Sequence, residues 1–319
     1  MLTRRRYLQL AAAVCAVAGG RSARVLAQSD ARSGTITRHA IPSTGEEIPI
    51  IGLGSSASFQ RLADSGESEA IRAVMEALLD GGGTVFDTAP SYGSAEAVAG
   101  RLVGEMNARD RVFWATKLNV AGFGGGSADA QAAWRQVETS LDRYGAEPVD
   151  LIQVHNIADM ATQFSILREL KDAGRARYIG MTSTFKPQYE AFEQYLRTEP
   201  LDFIGIDYAV DNTSAEERLF PICQDRGIAV MVYMPFGRSR LWERVDGHEV
   251  PDWAQAFGAA TWAQFFLKFA ASHPAVTVVT PATSRPHHMV DNLGAAYGRL
   301  PNAEERQRMI DFIDSLPEA

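Results

Sequence analysis

Eight short apolar runs recur along this chain, and an amphipathic segment follows each of them. The runs are continuous rather than alternating in polarity, which is typical of parallel strands buried on both faces. Strands and helices that alternate in this way predict an α/β fold of the (β/α)₈, or TIM barrel, type. The runs end at Gly54, Asp87, Lys117, His155, Thr182, Tyr208, Tyr233 and Pro281.

Two further features frame the predicted barrel. A β-hairpin is expected over residues 36–49, and a long loop follows the seventh strand between Tyr233 and Thr261. No Gly- or Pro-rich linker divides the chain, so residues 28–319 are expected to form a single domain. The predicted helices cover residues 67–80, 95–105, 128–144, 160–173, 187–197, 215–225, 261–272, 286–296 and 303–315.

The first 27 residues have the pattern of a twin-arginine signal peptide. The segment Thr3-Arg4-Arg5-Arg6-Tyr7-Leu8-Gln9 precedes an apolar stretch over 10–18, and Val25-Leu26-Ala27 resembles a cleavage site. The apolar stretch is shorter than the roughly 20 residues of a membrane span, so no stable membrane anchor is expected. We therefore expect the twin-arginine export machinery to carry the protein to the periplasm or another exported location. A disordered basic tail is the plainer alternative.

The charge balance argues against two classes of partner. Residues 1–27 hold five arginines and no acidic residue, so the remainder has 26 basic and 39 acidic residues and a formal charge of −13. Nucleic acid and anionic membranes would repel such a surface. Cys15 lies within the predicted signal, which leaves Cys223 alone and excludes an intrachain disulfide in the mature chain.

Four polar side chains stand at or just after the ends of apolar runs. Asp87, Lys117 and His155 each end such a run, and Tyr92 follows Asp87 by five residues. Each has a plain structural explanation when taken alone, as a turn residue, a strand terminus that reaches solvent, or a packed core residue. The working residues of (β/α)₈ barrels lie at the C-terminal ends of the strands, so these four are expected to meet at one mouth.

The four side chains suit delivery of a proton to a carbonyl oxygen. A phenol has an ordinary pKa of about 10 and is a weak acid at neutral pH. The ammonium of Lys117 would lower the pKa of Tyr92, Asp87 would hold the ammonium charged, and His155 would orient the oxygen. The His, Asp and Glu residues lack the clustered spacing of metal ligands, so no metal is expected.

Several motifs occur in one order along the chain: Phe86-Asp87-Thr88-Ala89 with Tyr92-Gly93, Ala115-Thr116-Lys117, Asp150-Leu151-Ile152-Gln153-Val154-His155, Tyr233-Met234-Pro235-Phe236-Gly237, Pro281-Ala282-Thr283-Ser284 and Asp291-Asn292-Leu293. Through them the chain resembles the aldo-keto reductase superfamily from about Ile36 onward. The resemblance implies that Asp87, Tyr92, Lys117 and His155 form a catalytic tetrad in which Tyr92 is the general acid. It also implies that a nicotinamide dinucleotide lies extended across the barrel mouth.

The resemblance further implies which residues bind that dinucleotide. Tyr233 corresponds to the aromatic residue that stacks on the nicotinamide ring, and Arg238 is a candidate near the pyrophosphate. The full set is Thr182, Ser183, Tyr233, Phe236, Arg238, Thr283, Arg285, His288 and Asn292.

The chain departs from the family pattern at several of these positions. Thr182-Ser183 stands where Ser-Asn is frequent and Gly205 where Gln is common, which weakens the contacts to the carboxamide. On the adenosine side, Ala282 and His288 replace a frequent Lys and Arg. Arg285 could still bind a 2′-phosphate, so NADP is expected in preference to NAD.

The residues support one function best and leave two alternatives. The first is an NAD(P)H-dependent oxidoreductase that interconverts a small carbonyl compound, an aldehyde or ketone, and its alcohol. A dinucleotide-binding redox sensor or scaffold with little turnover is the second, and an isomerase that forms a Schiff base at Lys117 is the third. Four aromatic residues could line an apolar substrate pocket above Tyr92: Phe59, Phe123, Trp242 and Trp253.

Overall fold

The computed structural model of the protein describes residues 34–121 and 126–317. The predicted signal peptide and Phe123 lie outside the described residues. From Thr37 onward the chain forms one compact unit. Its strands are β1 (Arg38–Ala40), β2 (Glu47–Pro49), β3 (Leu53–Gly54), β4 (Val85–Asp87), β5 (Phe113–Leu118), β6 (Val149–Val154), β7 (Ala176–Ser183), β8 (Phe203–Asp207), β9 (Ala229–Tyr233) and β10 (Val276–Val279).

The eight strands β3 to β10 form one parallel sheet in chain order, which confirms the predicted (β/α)₈ fold. The first and last strands come together through backbone hydrogen bonds. The amide of Gly52 donates to the carbonyl of Val279 (2.9 Å), and the amide of Gly54 donates to that of Pro281 (3.0 Å). A Cβ at Gly54 would lie 2.7 Å from the carbonyl oxygen of Thr280, so glycine permits this close approach.

The helices lie between the strands and follow the predicted order. Two short ones were not predicted, Ser58–Asp64 after β3 and Arg240–Arg244 within the long loop after β9, because they contain too few turns to show a helical period. The longer helices of the described residues are Ser68–Asp80, Ala95–Glu105, Ala130–Tyr144, Met160–Asp172, Tyr189–Thr198, Ala215–Arg226, Trp262–Ala271, Pro286–Gly294 and Ala303–Ser315. Among the described helices, none has the length and apolar character needed to cross a membrane.

The inside of the barrel changes from apolar to polar along the strands. Side chains two residues apart on a strand share a face, so the inward positions of β5 are Phe113, Ala115 and Lys117. The predicted hairpin is present as β1 and β2, and Ile41 and Ile48 belong to the apolar floor. The rest of that floor consists of Val85, Phe113, Ala115, Leu151, Tyr178, Phe203, Ala229, Met231 and Val278. Among the described residues, the charged inward side chain of β5, Lys117, therefore lies at the C-terminal mouth.

Candidate active site

A buried ion pair lies at the centre of the barrel mouth. Lys117 Nζ donates to both carboxylate oxygens of Asp87 (2.9 and 2.8 Å) and to the carbonyl oxygen of Thr88 (2.7 Å). Burial by itself would lower the pKa of Lys117, but the charge and hydrogen bonds of Asp87, together with the nearby Tyr92 and Glu96, outweigh burial and hold that pKa above its ordinary value. The amine is therefore protonated. A Schiff-base lysine needs a neutral amine, so this geometry disfavours the isomerase alternative.

Tyr92 lies on the turn that follows β4, beside this ion pair. Its backbone is fixed by hydrogen bonds from its amide to the carbonyl of Ala89 and from the amide of Ala95 to its own carbonyl (both 3.0 Å). Lys117 Nζ lies 5.3 Å from the centre of the Tyr92 ring. Burial raises the pKa of Tyr92 above its ordinary value, and the Lys117 ammonium only partly opposes this. The expectation of a net lowering was wrong, because it left out the cost of burying a phenolate.

His155 follows β6 and faces Tyr92 across the mouth. The two rings meet edge to face, with centroids 5.8 Å apart and an angle of 81° between their planes. Burial, helped by the Lys117 ammonium, lowers the pKa of His155 to about 3, so the imidazole is neutral near pH 7. Its Nδ1 is buried and has no hydrogen-bond partner within the described residues. A neutral imidazole still carries one N–H donor that can bind a carbonyl oxygen.

Tyr233 also contacts the ion pair, and Lys117 Nζ lies 5.1 Å from the centre of its ring. Its hydroxyl donates to Asp87 Oδ1 (3.0 Å) and accepts from Gln153 Nε2 (3.1 Å). Burial raises the pKa of Asp87, and the bonds from Lys117 and Tyr233 oppose that rise. The family resemblance implied a stacking role for Tyr233, and the sequence reasoning did not single out Gln153. The signal for Gln153 was its position two residues before His155, on the same face of β6.

Two adjoining cavities extend from this centre. The first, of about 650 Å³, is lined by all four predicted tetrad residues and by Thr182, Tyr233, Phe236 and Arg238. The second, of about 540 Å³, is lined by Thr283, His288 and Asn292. Phe236, Trp242 and Ala282 line both, so together the cavities form one elongated cleft.

Two of the predicted dinucleotide-binding residues lie outside the walls of both cavities. Ser183 is fully buried, and its hydroxyl donates to Gln188 Oε1 (2.7 Å). Arg285 is exposed and directly precedes the helix Pro286–Gly294, which carries His288 and Asn292. Thr182 lines the first cavity, and its hydroxyl accepts a hydrogen bond from the amide of Asn156 (3.1 Å).

The structure corrects the predicted aromatic substrate pocket. Phe59 is 0% exposed and packs on Phe86, with ring centroids 5.4 Å apart. Trp253 packs on Phe257 and Phe265, away from both cavities. Both interpretations were wrong, because these rings pack against other aromatic side chains and not against the cavities. Trp242, which is 39% exposed, does line the cleft.

Comparison with known proteins agrees with this architecture. The model of the Aldo/keto reductase family matches residues 50–311. Aldo-keto reductase YhdN of Bacillus subtilis is 30% identical over 209 residues, which cover 63% of this chain and 62% of that protein. The NADH-specific methylglyoxal reductase of Escherichia coli is 28% identical over 193 residues, or 54% of this chain and 58% of that enzyme. The matched part thus spans less than two thirds of either relative.

Solved structures resemble the chain over most of its length. An aldo/keto reductase from Klebsiella pneumoniae, solved with NADP and acetate, has a TM-score of 0.71 at 24% identity and covers 87% of this chain and 96% of that one. The aldo-keto reductase AKR11C1 from Bacillus halodurans has a TM-score of 0.71 at 22% identity and covers 89% and 98%. At this level of identity, the similarity to solved structures supports only the fold. Membership of the family rests on the family match, which spans every strand of the barrel. The chain therefore belongs to the aldo/keto reductase family of oxidoreductases.

Proposed function

We propose that this protein is an NAD(P)H-dependent oxidoreductase that interconverts an aldehyde or ketone and its alcohol. The observation that carries the proposal is one shared cavity lined by Tyr92, the Asp87–Lys117 ion pair and a neutral His155, with Tyr92 adjacent to both Lys117 and His155. A protonated phenol, a nearby cation and a neutral hydrogen-bond donor are the groups that carbonyl reduction requires.

The cleft fits a nicotinamide dinucleotide. Its two connected cavities provide an elongated path, and the half-buried ring of Tyr233 lines the first of them beside the tetrad. The guanidinium of Arg238 could reach a pyrophosphate, and Thr283, His288 and Asn292 could hold the adenosine half. When bound, such a dinucleotide supplies the hydride that adds to the carbonyl carbon.

The residues of the chain perform the proton chemistry. His155 donates a hydrogen bond to the carbonyl oxygen and orients that oxygen toward Tyr92. Tyr92 gives its phenolic proton to the oxygen as negative charge develops there. The Lys117 ammonium stabilises the phenolate that remains, and Asp87 keeps the ammonium charged and in place. In alcohol oxidation Tyr92 takes the proton back.

NADP is the dinucleotide that we propose. Arg285 is exposed beside the second cavity, and a guanidinium binds a 2′-phosphate in a bidentate manner. Among the relatives, the Klebsiella pneumoniae protein was solved with NADP, whereas the Escherichia coli enzyme is named as NADH-specific. The choice therefore rests on Arg285 in this chain.

Export is also part of the proposal. The twin-arginine pattern of residues 1–27 supports passage to the periplasm or another exported location. Nicotinamide dinucleotides are scarce outside the cytoplasm, so the dinucleotide would bind before export and remain bound.

The central test offers the protein NADPH and a panel of aldehydes. Oxidation of NADPH is monitored through the loss of its absorbance. The wild-type protein should reduce aldehydes, and Tyr92→Phe should lower kcat/KM by about 10²-fold or more because the proton donor is gone.

The pH dependence of the two directions gives a second prediction. Because burial raises the pKa of Tyr92, the rate of reduction should stay level between about pH 6 and 9. Oxidation of the alcohol needs the phenolate and should accelerate with pH over the same range.

Two controls define the outcome. Tyr195→Phe changes a tyrosine on the outer helix Tyr189–Thr198 and should leave the rates unchanged. Arg285→Gln should raise the KM for NADPH but not for NADH. A wild-type protein that binds dinucleotide but turns over no carbonyl would instead support the redox-sensor alternative, and full activity in Tyr92→Phe would refute the role given to this tyrosine.

A further inference from the structure

Three arginines of the described residues differ from all the others. The guanidinium of every other arginine among the described residues forms a hydrogen bond or ion pair with an oxygen atom, or lies over an aromatic ring. The side chains of Arg61, Arg238 and Arg285 have neither kind of partner. Arg61 and Arg238 line the first cavity, and Arg285 lies beside the second. The arginines without partners among the described residues thus lie in or beside the cleft.

The proposed dinucleotide accounts for two of these three arginines. Arg238 follows β9 and was assigned to the pyrophosphate, and Arg285 was assigned to the 2′-phosphate. Arg61 lies in a different part of the mouth, on the helix Ser58–Asp64 that follows β3. Ser56 and Ser58 line the same part of the cavity wall. Arg61 is therefore the arginine of the first cavity to which the proposed dinucleotide gives no partner.

The helix that carries Arg61 is fixed directly against the turn of Tyr92. Asp64 accepts hydrogen bonds from the amide (2.7 Å) and the hydroxyl (2.9 Å) of Ser94, two residues after Tyr92. Arg61 is three positions before Asp64, so both residues lie on one side of the helix. Arg61 makes no ion pair with Asp64, whose oxygens are held by Ser94 and Gln60. The guanidinium thus shares the first cavity with the proposed proton donor, and no carboxylate of the described residues neutralises it.

The charges that line the first cavity are unbalanced. Asp87 is the one acidic residue among its described lining residues, and Lys117 neutralises it. Arg61 and Arg238 therefore give the cavity a net positive charge in a chain whose formal charge is −8. A positive cleft in an acidic protein attracts anionic ligands selectively, because the surrounding surface repels them.

We propose that the substrate is a carbonyl compound with an anionic group, a carboxylate or a phosphate, and that Arg61 binds this group. The assignment rests on the proposed function and adds the substrate class to it. The planar guanidinium can hold either anion through two parallel hydrogen bonds. Ser56 and Ser58 supply hydroxyl donors at the same wall. Arg61 is a specificity residue in this scheme, and Tyr92 and His155 act on the carbonyl end.

The test compares matched pairs of substrates that differ in one charge. The pairs are succinic semialdehyde with its methyl ester, and glyceraldehyde 3-phosphate with glyceraldehyde. The wild-type kcat/KM should favour the anionic member of at least one pair by roughly 10- to 100-fold, and this pair identifies the anion. The preference should shrink as salt rises from about 0.05 to 0.5 M.

Variants at Arg61 locate the effect. Arg61→Gln should remove most of the preference, and Arg61→Lys should keep part of it because the charge remains. Arg135→Gln removes the same charge from the exposed side of the helix Ala130–Tyr144 and should leave the ratio unchanged. Equal kcat/KM within both pairs, or the same ratio in Arg61→Gln as in wild type, would overturn the proposal.

A binding measurement separates this proposal from the proposed function. Saturation-transfer NMR should detect butyrate on the wild-type protein but not butanamide, and Arg61→Gln should weaken the butyrate signal by about 10-fold. This readout requires no turnover. If no carbonyl compound is reduced, the proposed function fails, and the butyrate result alone then decides whether Arg61 is an anion site.

Discussion

The hydroxyl of Tyr233 lies between Asp87 and Gln153 because Gly205 leaves room for its ring. A Cβ at Gly205 would lie 2.3 Å from Tyr233 Cε2 and 2.7 Å from the phenolic oxygen. The departure from a Gln in this strand therefore gives Tyr233 a place beside the ion pair. Its hydroxyl supplies a hydrogen bond to Asp87 in addition to the two from Lys117.

Gly205→Ala should displace the Tyr233 ring and break both hydrogen bonds of its hydroxyl. We expect a loss of about 1–3 kcal/mol in the free energy of unfolding, because the core is overpacked and Gln153 loses its partner. Reduction should slow by roughly 10-fold, since Asp87 is held less firmly. Denaturant unfolding and steady-state kinetics measure the two effects.

Tyr233→Phe provides the matched comparison, because it removes the same hydrogen bonds and leaves the ring in place. The effects of Gly205→Ala and Tyr233→Phe should be less than additive in the double variant, since both break the same contacts. Strictly additive losses, or an unchanged stability in Gly205→Ala, would mean that Gly205 and Tyr233 are independent.

The tetrad could be predicted from the sequence because its residues stand at strand ends. The contacts that cross the barrel could not be predicted from the sequence. Asp87, Lys117 and His155 each end an apolar run, and the barrel geometry brings such ends together. The bond from Tyr233 to Asp87 joins residues 146 positions apart, so no local pattern indicates it. The direction of the pKa shift of Tyr92 could not be predicted either, because it depends on how deeply the phenol is buried, and the order of residues does not reveal burial.

At the scale of elements, the short helix Ser58–Asp64 connects the first βα loop to the turn of Tyr92. Asp64 accepts two hydrogen bonds from Ser94, and a Cβ at Gly93 would lie 2.3 Å from Asp64 Oδ1. The backbone of Gly93 has φ +52°, which glycine adopts readily. The helix therefore holds the loop of the proposed proton donor by contacts to its backbone.

Asp64→Ala should loosen the Tyr92 turn without unfolding the barrel. We expect kcat to fall by about 3- to 10-fold, with faster hydrogen exchange at the amides of Ser94 and Ala95 because the Ser94 amide loses its acceptor. The bonds from Ser94 lower the pKa of Asp64, so this contact should persist near neutral pH and weaken only in acid, as the pH falls through that lowered pKa.

Gln60→Ala, on the same helix, is the control. Gln60 makes only one contact with Asp64, at 3.4 Å, so its removal should leave kcat and the exchange rates nearly unchanged. Unaltered exchange at Ser94 in Asp64→Ala would show that the helix does not hold the turn.

The predicted elements agree with the structure best where the apolar period is long. The helices Ala95–Glu105 and Ala303–Ser315 begin and end at the predicted residues, and each barrel strand ends within two residues of its predicted end. The helix Ser58–Asp64 was missed because only Phe59 and Ala63 are buried in it. Two apolar positions do not define a helical period.

At the scale of the whole molecule, the cleft exists only when the barrel is complete. Ile50 and Gly52, just before the first barrel strand, bond through their backbones to Val279 at the end of the last strand. The first cavity takes residues from both ends of the sheet, such as Gly54 and Thr280. The proposed dinucleotide site is therefore complete only after strands β3 to β10 have closed the barrel. Twin-arginine export carries folded proteins, so it is compatible with binding before export.

The export prediction tests the twin-arginine pair and the bound dinucleotide together. Replacing Arg4 and Arg5 by Lys should retain the protein inside the cell with residues 1–27 uncleaved. The same replacement of Arg21 and Arg24 changes two arginines outside the pair and should leave export intact.

Wild-type protein purified natively from the exported fraction should begin near Gln28 and release close to one nicotinamide dinucleotide per chain, as measured by mass spectrometry. An exported protein without nicotinamide would contradict loading before export, and export of the Arg4/Arg5 variant would contradict the signal.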